Sequence, residues 1–504
     1  MLTRYIKKIL QARVYDVAEK TRLDFATNLS RRLNNNIWIK REDMQPVFSF
    51  KIRGAYNKIA SLPPEIIAKG VITASAGNHA QGVALSAKKL GIKATIVMPK
   101  TTPDIKVNSV RNNGGDVVLH GTSFDDASAY AQQLVKEKGL SYIPPFDDEY
   151  VIAGQGTVAM EILQTHTGDI DAVFIPVGGG GLIAGMAAYI KYLRPEIKVI
   201  GVEPEDSACL YEALKADERV VLDQVGIFAD GVAVKQIGEK TFEVLRDTVD
   251  EVLRVSTDEI CAAIKDIFED TRTVTEPAGA VGLAGLKKYI TREKCHAKTL
   301  ITVASGANMN FDRLGYVAER TELSERRETL LAVTIPERAG SFRNFCHTIG
   351  QRAITEFNYR YADDNQAHVF AGIRLTGEED EKETLIKRLS EHDYTVLDMT
   401  DNEVAKLHIR HMVGGHGQQV EDERLYRFEF PERPGALLHF LTQIGQRWNI
   451  SLFHYRNHGA AYGRVLVGIQ VPDAELTDLQ QFFDQLGFSY WEEKNNPAYT
   501  LFLQ

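Results

Sequence analysis

At 504 residues, 44% of them apolar and 25% charged, the chain is long enough for two to four domains with cores of their own. A formal net charge of -9 without any Lys/Arg block argues against nucleic acid as a partner. No apolar run reaches the roughly eighteen residues of a membrane span, and Met1 to Lys20 lacks the core of a secretory signal, so a cytoplasmic location away from membranes is expected.

The first segment that carries chemistry is Ser49-Phe50-Lys51-Ile52-Arg53-Gly54-Ala55. Ser49 is expected to cap a helix with Lys51 in its first turn. The positive end of the helix dipole, with Phe50 and Ile52 on either side, disfavours an ammonium ion there. The amine's pKa should fall, leaving the neutral nucleophile that Schiff-base chemistry needs. An isolated lysine is more often a solvated surface residue, so Lys51 decides little alone.

From Val71 to about Met309, short β-branched runs alternate with amphipathic stretches. Strands are expected at Val71 to Thr73, Ala94 to Met98, Asp116 to Leu119, Ala172 to Val177, Lys198 to Val202 and Thr299 to Val303. Helices are expected at Asp125 to Glu137 and Ser256 to Glu269. This is the βαβ pattern of an α/β region, an open twisted sheet rich in parallel strands, with ligand beyond the carboxyl ends of one set of strands.

Three loops follow such strands. Ser75-Ala76-Gly77-Asn78-His79-Ala80-Gln81-Gly82 opens a helix, and its small side chains would admit a carboxylate or phosphate to backbone N–H groups. An ordinary tight turn explains it about as well. Gly178-Gly179-Gly180-Gly181-Leu182 is a candidate anion nest; it lacks the Gly-Lys-Ser/Thr of a Walker loop and the spacing of the dinucleotide fingerprint. Ser305-Gly306-Ala307-Asn308 puts a hydroxyl where it could meet a ring nitrogen or merely cap a helix. Glu276-Pro277-Ala278-Gly279 is a weaker candidate, its glutamate facing a ligand or favouring a helix start.

After Asn310 comes a charge-dense segment, Glu319 to Glu328, and then a repeat. Pro336-Glu337-Arg338-Ala339-Gly340 returns as Pro431-Glu432-Arg433-Pro434-Gly435, and Ile349-Gly350-Gln351-Arg352 as Ile444-Gly445-Gln446-Arg447. Phe357-Asn358-Tyr359-Arg360 returns as Phe453-His454-Tyr455-Arg456 with one residue inserted. Two small α+β modules, 327–400 and 421–494, are therefore expected after a region spanning 1–320. Cys209, Cys261, Cys295 and Cys346 lack metal or disulfide spacing, and His408, His411 and His416 do not form an established zinc pattern, so no metal is expected.

The ordered set of Ser49 to Ala55, Ser75 to Gly82, Gly178 to Leu182 and Ser305 to Asn308 resembles the fold-type II pyridoxal-phosphate enzymes, and within them the threonine/serine dehydratase branch. With the tandem repeat, essentially the whole chain resembles the biosynthetic threonine ammonia-lyases, or threonine deaminases, whose C-terminal repeats are ACT-like regulatory domains. The resemblance implies that Lys51 is the Schiff-base residue and general base for pyridoxal 5'-phosphate, that Asn78 contacts the ring 3-oxygen, and that Ser305 meets the pyridine nitrogen. It implies Gly178, Gly179, Gly180, Gly181 and Leu182 as the phosphate cradle, and Ser75, Ala76, Gly77 and Asn78 as the site of the substrate carboxylate. Threonine, and also serine, are the implied substrates, isoleucine the inhibitor, valine its antagonist, and a homotetramer the assembly. Tyr359 and Tyr455 are candidate effector contacts, although packing shared by two copies of one fold explains them equally. A serine racemase, a threonine synthase, or a non-catalytic amino-acid sensor on the same fold stay open as alternatives.

Overall fold

The computed structural model describes every residue except 227, 312, 325–327, 337–343, 346–347, 351, 353, 362–365, 377–379, 412–421, 432–447, 457–461 and 504. The chain divides into two compact units, Met1–Asn310 and Phe311–Gln504. The division comes before residue 320 because helix Arg313–Ser324 contacts strand Glu328–Pro336 of the second unit.

Among the described residues, the strands of the first unit are β1 (Leu23–Phe25), β2 (Asn36–Arg41), β3 (Val71–Ala74), β4 (Ala94–Met98), β5 (Asp116–Leu119), β6 (Ser141–Tyr142), β7 (Ala172–Pro176), β8 (Lys198–Pro204), β9 (Glu251–Val255) and β10 (Thr299–Ala304). They form two sheets rather than the one read from the sequence: a six-stranded sheet in the order β1-β2-β10-β7-β8-β9 and a four-stranded sheet in the order β5-β4-β3-β6. All pairings are parallel except β1 with β2. Parallel strands buried on both faces read as similar apolar runs, and nothing in that pattern says which of them share a ladder. The Ser75 loop accordingly follows a strand of the smaller sheet, and the Gly178 and Ser305 loops follow strands of the larger one.

The larger sheet lies in a core where Val173, Ile175, Ile301 and Val303 are buried together with Ile183, Met186 and Ala187 of helix Gly181–Leu193. That helix packs closely on helix Glu149–Thr165, since a Cβ at Gly185 would stand 2.3 Å from the Ile152 carbonyl oxygen. Helix Thr257–Thr271 starts at a capping box of Ser256 and Glu259, and helix Phe124–Lys138 at one of Ser123 and Asp126, which fixes both expected helices. Strand β2, between β1 and β10 in its sheet, escaped the sequence pattern because its buried Lys40 and Arg41 read as surface residues.

The second unit holds β11 (Glu328–Pro336), β12 (Ile354–Tyr361), β13 (Gln366–Arg374) and β14 (Thr395–Asp398), then β15 (Glu423–Pro431), β16 (Asn449–Arg456), β17 (Tyr462–Gln470) and β18 (Ser489–Glu492). They form two antiparallel sheets of one design, β12-β13-β11-β14 and β16-β17-β15-β18. Helices Glu381–Glu391 and Leu476–Leu486 precede the last strand of each sheet, as in ferredoxin-like modules. Even the irregularities repeat: the register shifts between Ile354 and Glu356 in one copy and between Ile450 and Leu452 in the other.

The two modules share one core. Leu330, Phe370, Val404 and Ala405 of the first meet Leu425, Leu466, Ala498 and Tyr499 of the second. Asn402 caps helix Glu403–Leu407 and Asn496 caps helix Pro497–Phe502, and the Asn402 Nδ2 donates to Asn496 Oδ1 at 3.0 Å. The two copies thus meet through corresponding capping residues. Among the described residues, no helix is long and apolar enough to cross a membrane.

Candidate active site

Helix Lys51–Ala60 begins at Lys51 itself. Ser49 sits one position ahead of the cap that the sequence assigned to it: Phe50 occupies the cap with helical dihedrals, while Ser49 Oγ accepts from the Lys51 N–H at 3.4 Å. The helix start is pinned to the loop after β10. Ser49 forms a bridge with Gly306, the Phe50 N–H donates to the Ser305 carbonyl at 3.2 Å, and the Ala307 N–H donates to the Phe48 carbonyl at 2.9 Å. Two motifs separated by most of the unit are thus neighbours through backbone.

Lys51 is partly buried, and its Nζ donates to the Pro145 carbonyl at 3.0 Å. Burial pulls its pKa down to about 8, with the Glu276 carboxylate acting in the opposite direction. The neutral amine, the state a nucleophile or base requires, is therefore far more accessible near neutrality than in an ordinary lysine.

Asn78 opens helix Asn78–Lys89, with Gly77 at the cap. Its side chain is held at both ends: Nδ2 donates to Glu276 Oε1 and Oδ1 accepts from Asn308 Nδ2, each at 2.6 Å. Ahead of it, Ser75 Oγ accepts from the Gly77 N–H at 3.3 Å, and a Cβ on Gly77 would meet nothing within 4 Å. Space is therefore open beside Gly77, as an approaching carboxylate needs. Neighbouring His79 is buried, its Nε2 bonded to the Ile143 carbonyl at 2.9 Å, and burial together with Lys51 lowers its pKa to about 3. The ring is neutral at physiological pH.

The glycine run links β7 to helix Gly181–Leu193. The Gly178 carbonyl accepts from Cys209 Sγ at 3.4 Å, and the Gly179 carbonyl accepts from Thr241 Oγ1 at 2.8 Å. In a planar trans peptide a carbonyl held on one side turns the following N–H to the other, so the Gly179 and Gly180 N–H groups each point away from the bond made by the preceding carbonyl. Gly181 and Leu182 lie in the first helical turn, where N–H groups have no intrahelical acceptor. The N–H groups of these successive residues are a candidate anion site.

Glycine is required for that close approach. A Cβ at Gly179 would stand 2.2 Å from the Phe146 ring, one at Gly178 2.9 Å from Val232 Cα, and Gly180 has φ +90°. Thr241 is placed by Asp147, whose carboxylate accepts the N–H groups of Glu239, Lys240 and Thr241 at the start of helix Glu239–Thr248. Consecutive residues therefore join the lysine to the nest: Pro145 holds Lys51 Nζ, and Phe146 covers Gly179 and Gly181.

Ser305 is buried, and its Oγ donates to the Ala278 carbonyl at 3.3 Å. No helix begins there, so its presence is not explained by capping. Glu276 occupies the position ahead of helix Pro277–Glu293 without capping it by its side chain, which instead accepts from Asn78 and crowds Gly306, where a Cβ would stand 2.2 Å from its Oε1. Sequence reasoning passed over Pro145, Phe146, Asp147 and Thr241; the turn-rich string Pro144-Pro145-Phe146-Asp147-Asp148 was the available signal.

Comparison with known proteins agrees with this arrangement. Residues 14–306 match the family described as pyridoxal-phosphate dependent enzyme, and 319–409 and 414–503 each match the C-terminal regulatory domain of threonine dehydratase. The biosynthetic L-threonine dehydratase IlvA of Burkholderia multivorans is 56% identical over 99% of both chains. The chain belongs to the biosynthetic threonine dehydratase family. Among solved structures, the processed form of threonine deaminase isoform 2 from Solanum lycopersicum aligns with a TM-score of 0.63 at 51% identity, covering 64% of this chain and 88% of that one. Maize serine racemase aligns with a TM-score of 0.58 at 32% identity, over 64% of this chain and 98% of its own.

Pyridoxal phosphate is the cofactor of this dehydratase family. The residues present fit it. An amine with a lowered pKa is joined through Pro145 and Phe146 to a glycine run at a helix N-terminus, and an amine and N–H donors are the two attachments that an aldehyde and a phosphate need. In the regulatory modules, Tyr359 pairs with Val369 in β12 and Tyr455 with Val465 in β16, equivalent rungs of the two sheets; their side chains lie outside the described residues, as does Cys346.

Proposed function

We propose that this chain converts L-threonine to 2-oxobutanoate and ammonia, acts also on L-serine, and is inhibited by isoleucine through modules spanning 327–400 and 421–494. The observation that carries the reading is the Pro145-Phe146 step, which holds Lys51 Nζ at 3.0 Å and covers the glycine nest with the next side chain. The full-length likeness to a biosynthetic dehydratase, together with two matches to the threonine dehydratase regulatory domain, supports threonine chemistry over racemisation.

When bound, the cofactor supplies the electron sink that acidifies the substrate Cα–H and lets the β-hydroxyl leave. Gly178, Gly179, Gly180, Gly181 and Leu182 would hold its phosphate, Asn78 its ring oxygen, and Ser305 its ring nitrogen. Ser75, Ala76, Gly77 and Asn78 would take the substrate carboxylate on N–H groups. Lys51 anchors the cofactor through Nζ and, once free, takes the Cα proton as general base. Loss of the hydroxyl with a proton releases water, and hydrolysis of the released imine consumes water and yields the ketoacid and ammonia. A serine hydroxyl at the ring nitrogen does not enforce its protonation as a carboxylate would, which favours elimination over slower routes.

Isoleucine as inhibitor and valine as its antagonist are expected at the modules, with Tyr359 and Tyr455 as effector contacts. Inhibition requires that the effector bind two conformational states unequally. We further expect a cytoplasmic homotetramer. Ketoacid release from threonine and serine, with and without isoleucine, tests the proposal. Ammonia-free racemisation of serine in place of ketoacid formation would overturn it.

A further inference from the structure

Behind the Lys51 helix lies a group of charges that the chemistry above leaves unused. Arg53 Nε and Nη2 donate to Glu42 Oε2 and Oε1, both at 2.8 Å. Its Nη1 and Nη2 donate to Glu161 Oε1 and Oε2 at 2.6 and 3.0 Å. Lys40 Nζ donates to Glu161 Oε2 and to the Thr21 carbonyl, each at 2.6 Å. All four side chains are 0% exposed. Two cations offset two carboxylates, and the spare capacity is used: Thr21 Oγ1 and Gln45 Nε2 donate to Glu42, Tyr15 OH donates to Glu161, and Arg53 Nη1 reaches Thr157 Oγ1 at 3.1 Å.

Burial of such a group is costly, and apolar side chains of equal volume often serve stability as well. Its directional hydrogen bonds offer something apolar packing does not, a fixed geometry. They tie helix Lys51–Ala60 to β2 through Lys40, to the turn Glu42–Met44, and to helix Glu149–Thr165 through Glu161. Residues two apart on a helix project about 200° from each other, so Arg53 grips the side of the helix away from Lys51. Beside this grip the two helices are in near backbone contact: a Cβ on Gly154 would stand 2.7 Å from the Arg53 carbonyl oxygen, and one on Gly54 2.5 Å from Gln155 Nε2.

We infer that Arg53, with Glu42, Glu161 and Lys40, is a positioning device that sets the rotation and height of the Lys51 helix, and thereby the place of Nζ beside Pro145 and the glycine nest. The inference rests on the reading of Lys51 as the reactive amine. Lysine would not substitute for Arg53, because one ammonium cannot grip two carboxylates in bidentate fashion.

The test uses the full chain with Arg53→Lys and the isosteric Glu161→Gln, and Val199→Ala as a buried cavity control on β8. Turnover of the loaded enzyme is read beside a second quantity from cofactor-free protein: the pH midpoint for acylation of Lys51, followed by peptide mass spectrometry. Both cluster variants are expected to lower kcat by about 10²-fold with little change in KM, as misplacement by about 1 Å does. Their Lys51 midpoint should rise toward the ordinary lysine value near ~10.4 as Nζ leaves its enclosed place. Val199→Ala should melt earlier yet keep the parent midpoint and kcat. Parent-like midpoint and kcat in either cluster variant would overturn the inference, as would a control that shifts alongside them. If Lys51→Ala stayed active, the reading on which the inference rests would fail first, and that outcome is distinguishable.

Discussion

Asn78 donates from Nδ2 to Glu276 Oε1 across 2.6 Å, joining positions 198 residues apart at the edge of the lysine site. Glu276 also raises the Lys51 pKa against the larger lowering by burial. Glu276→Gln keeps an acceptor for Asn78 and removes the charge. The Lys51 pKa should then drop below about 8. The acid limb of the kcat–pH profile, which reports the base in the substrate complex, should move to lower pH. An acid limb that moved upward would contradict the assignment of Lys51 as base.

Gly179→Ala puts a methyl group 2.2 Å from the Phe146 ring, which packs on the glycine run assigned to the cofactor phosphate. Overpacking of this kind costs about 1–3 kcal/mol. Cofactor titration followed by absorbance should show weaker binding by roughly tenfold or more, which corresponds to about 1.4 kcal/mol. Excess cofactor should restore part of the turnover.

His79 contributes to acid sensitivity with a definite sign. Its folded pKa, about 3, lies below the ordinary histidine value of 6.5, so between these values the unfolded chain binds a proton that the native state does not. Stability from this group is complete above pH 6.5 and is lost as pH falls toward 3, by at most about 1.4 kcal/mol per pH unit. Denaturant midpoints of His79→Gln should fall less steeply than the parent's between pH 6.5 and 5, the upper part of that window.

Ending the chain after Asn310, where the first unit closes, should remove inhibition by isoleucine and retain ketoacid formation. Inhibition with unchanged affinity in the truncated protein would place the effector site in the first unit.

What could be read from residues alone depended on whether a feature leaves a compositional trace. The glycine run and the loop at Ser75 are visible because close backbone approach excludes side chains, and the repeat is visible because two copies of one fold keep turns and apolar rungs in step. Division of the parallel strands between two sheets left no trace, since strands buried on both faces look alike in either. Strand β2 was hidden by Lys40 and Arg41, whose burial becomes tolerable only once Glu161 and Asp43 are in place. Pro145 and Phe146 act through a carbonyl and the edge of a ring, chemistry that many residue types could supply, so no motif announces them.

The Asn402–Asn496 contact gives the duplicated modules a property that separate subunits would lack. Two copies joined by one chain meet at an effective concentration fixed by the connection between them, in the millimolar range for short tethers. Dilution that separates subunits would leave this pair together. A response to effector that depends on the paired modules would therefore persist at enzyme concentrations where an assembly of independent copies had already come apart.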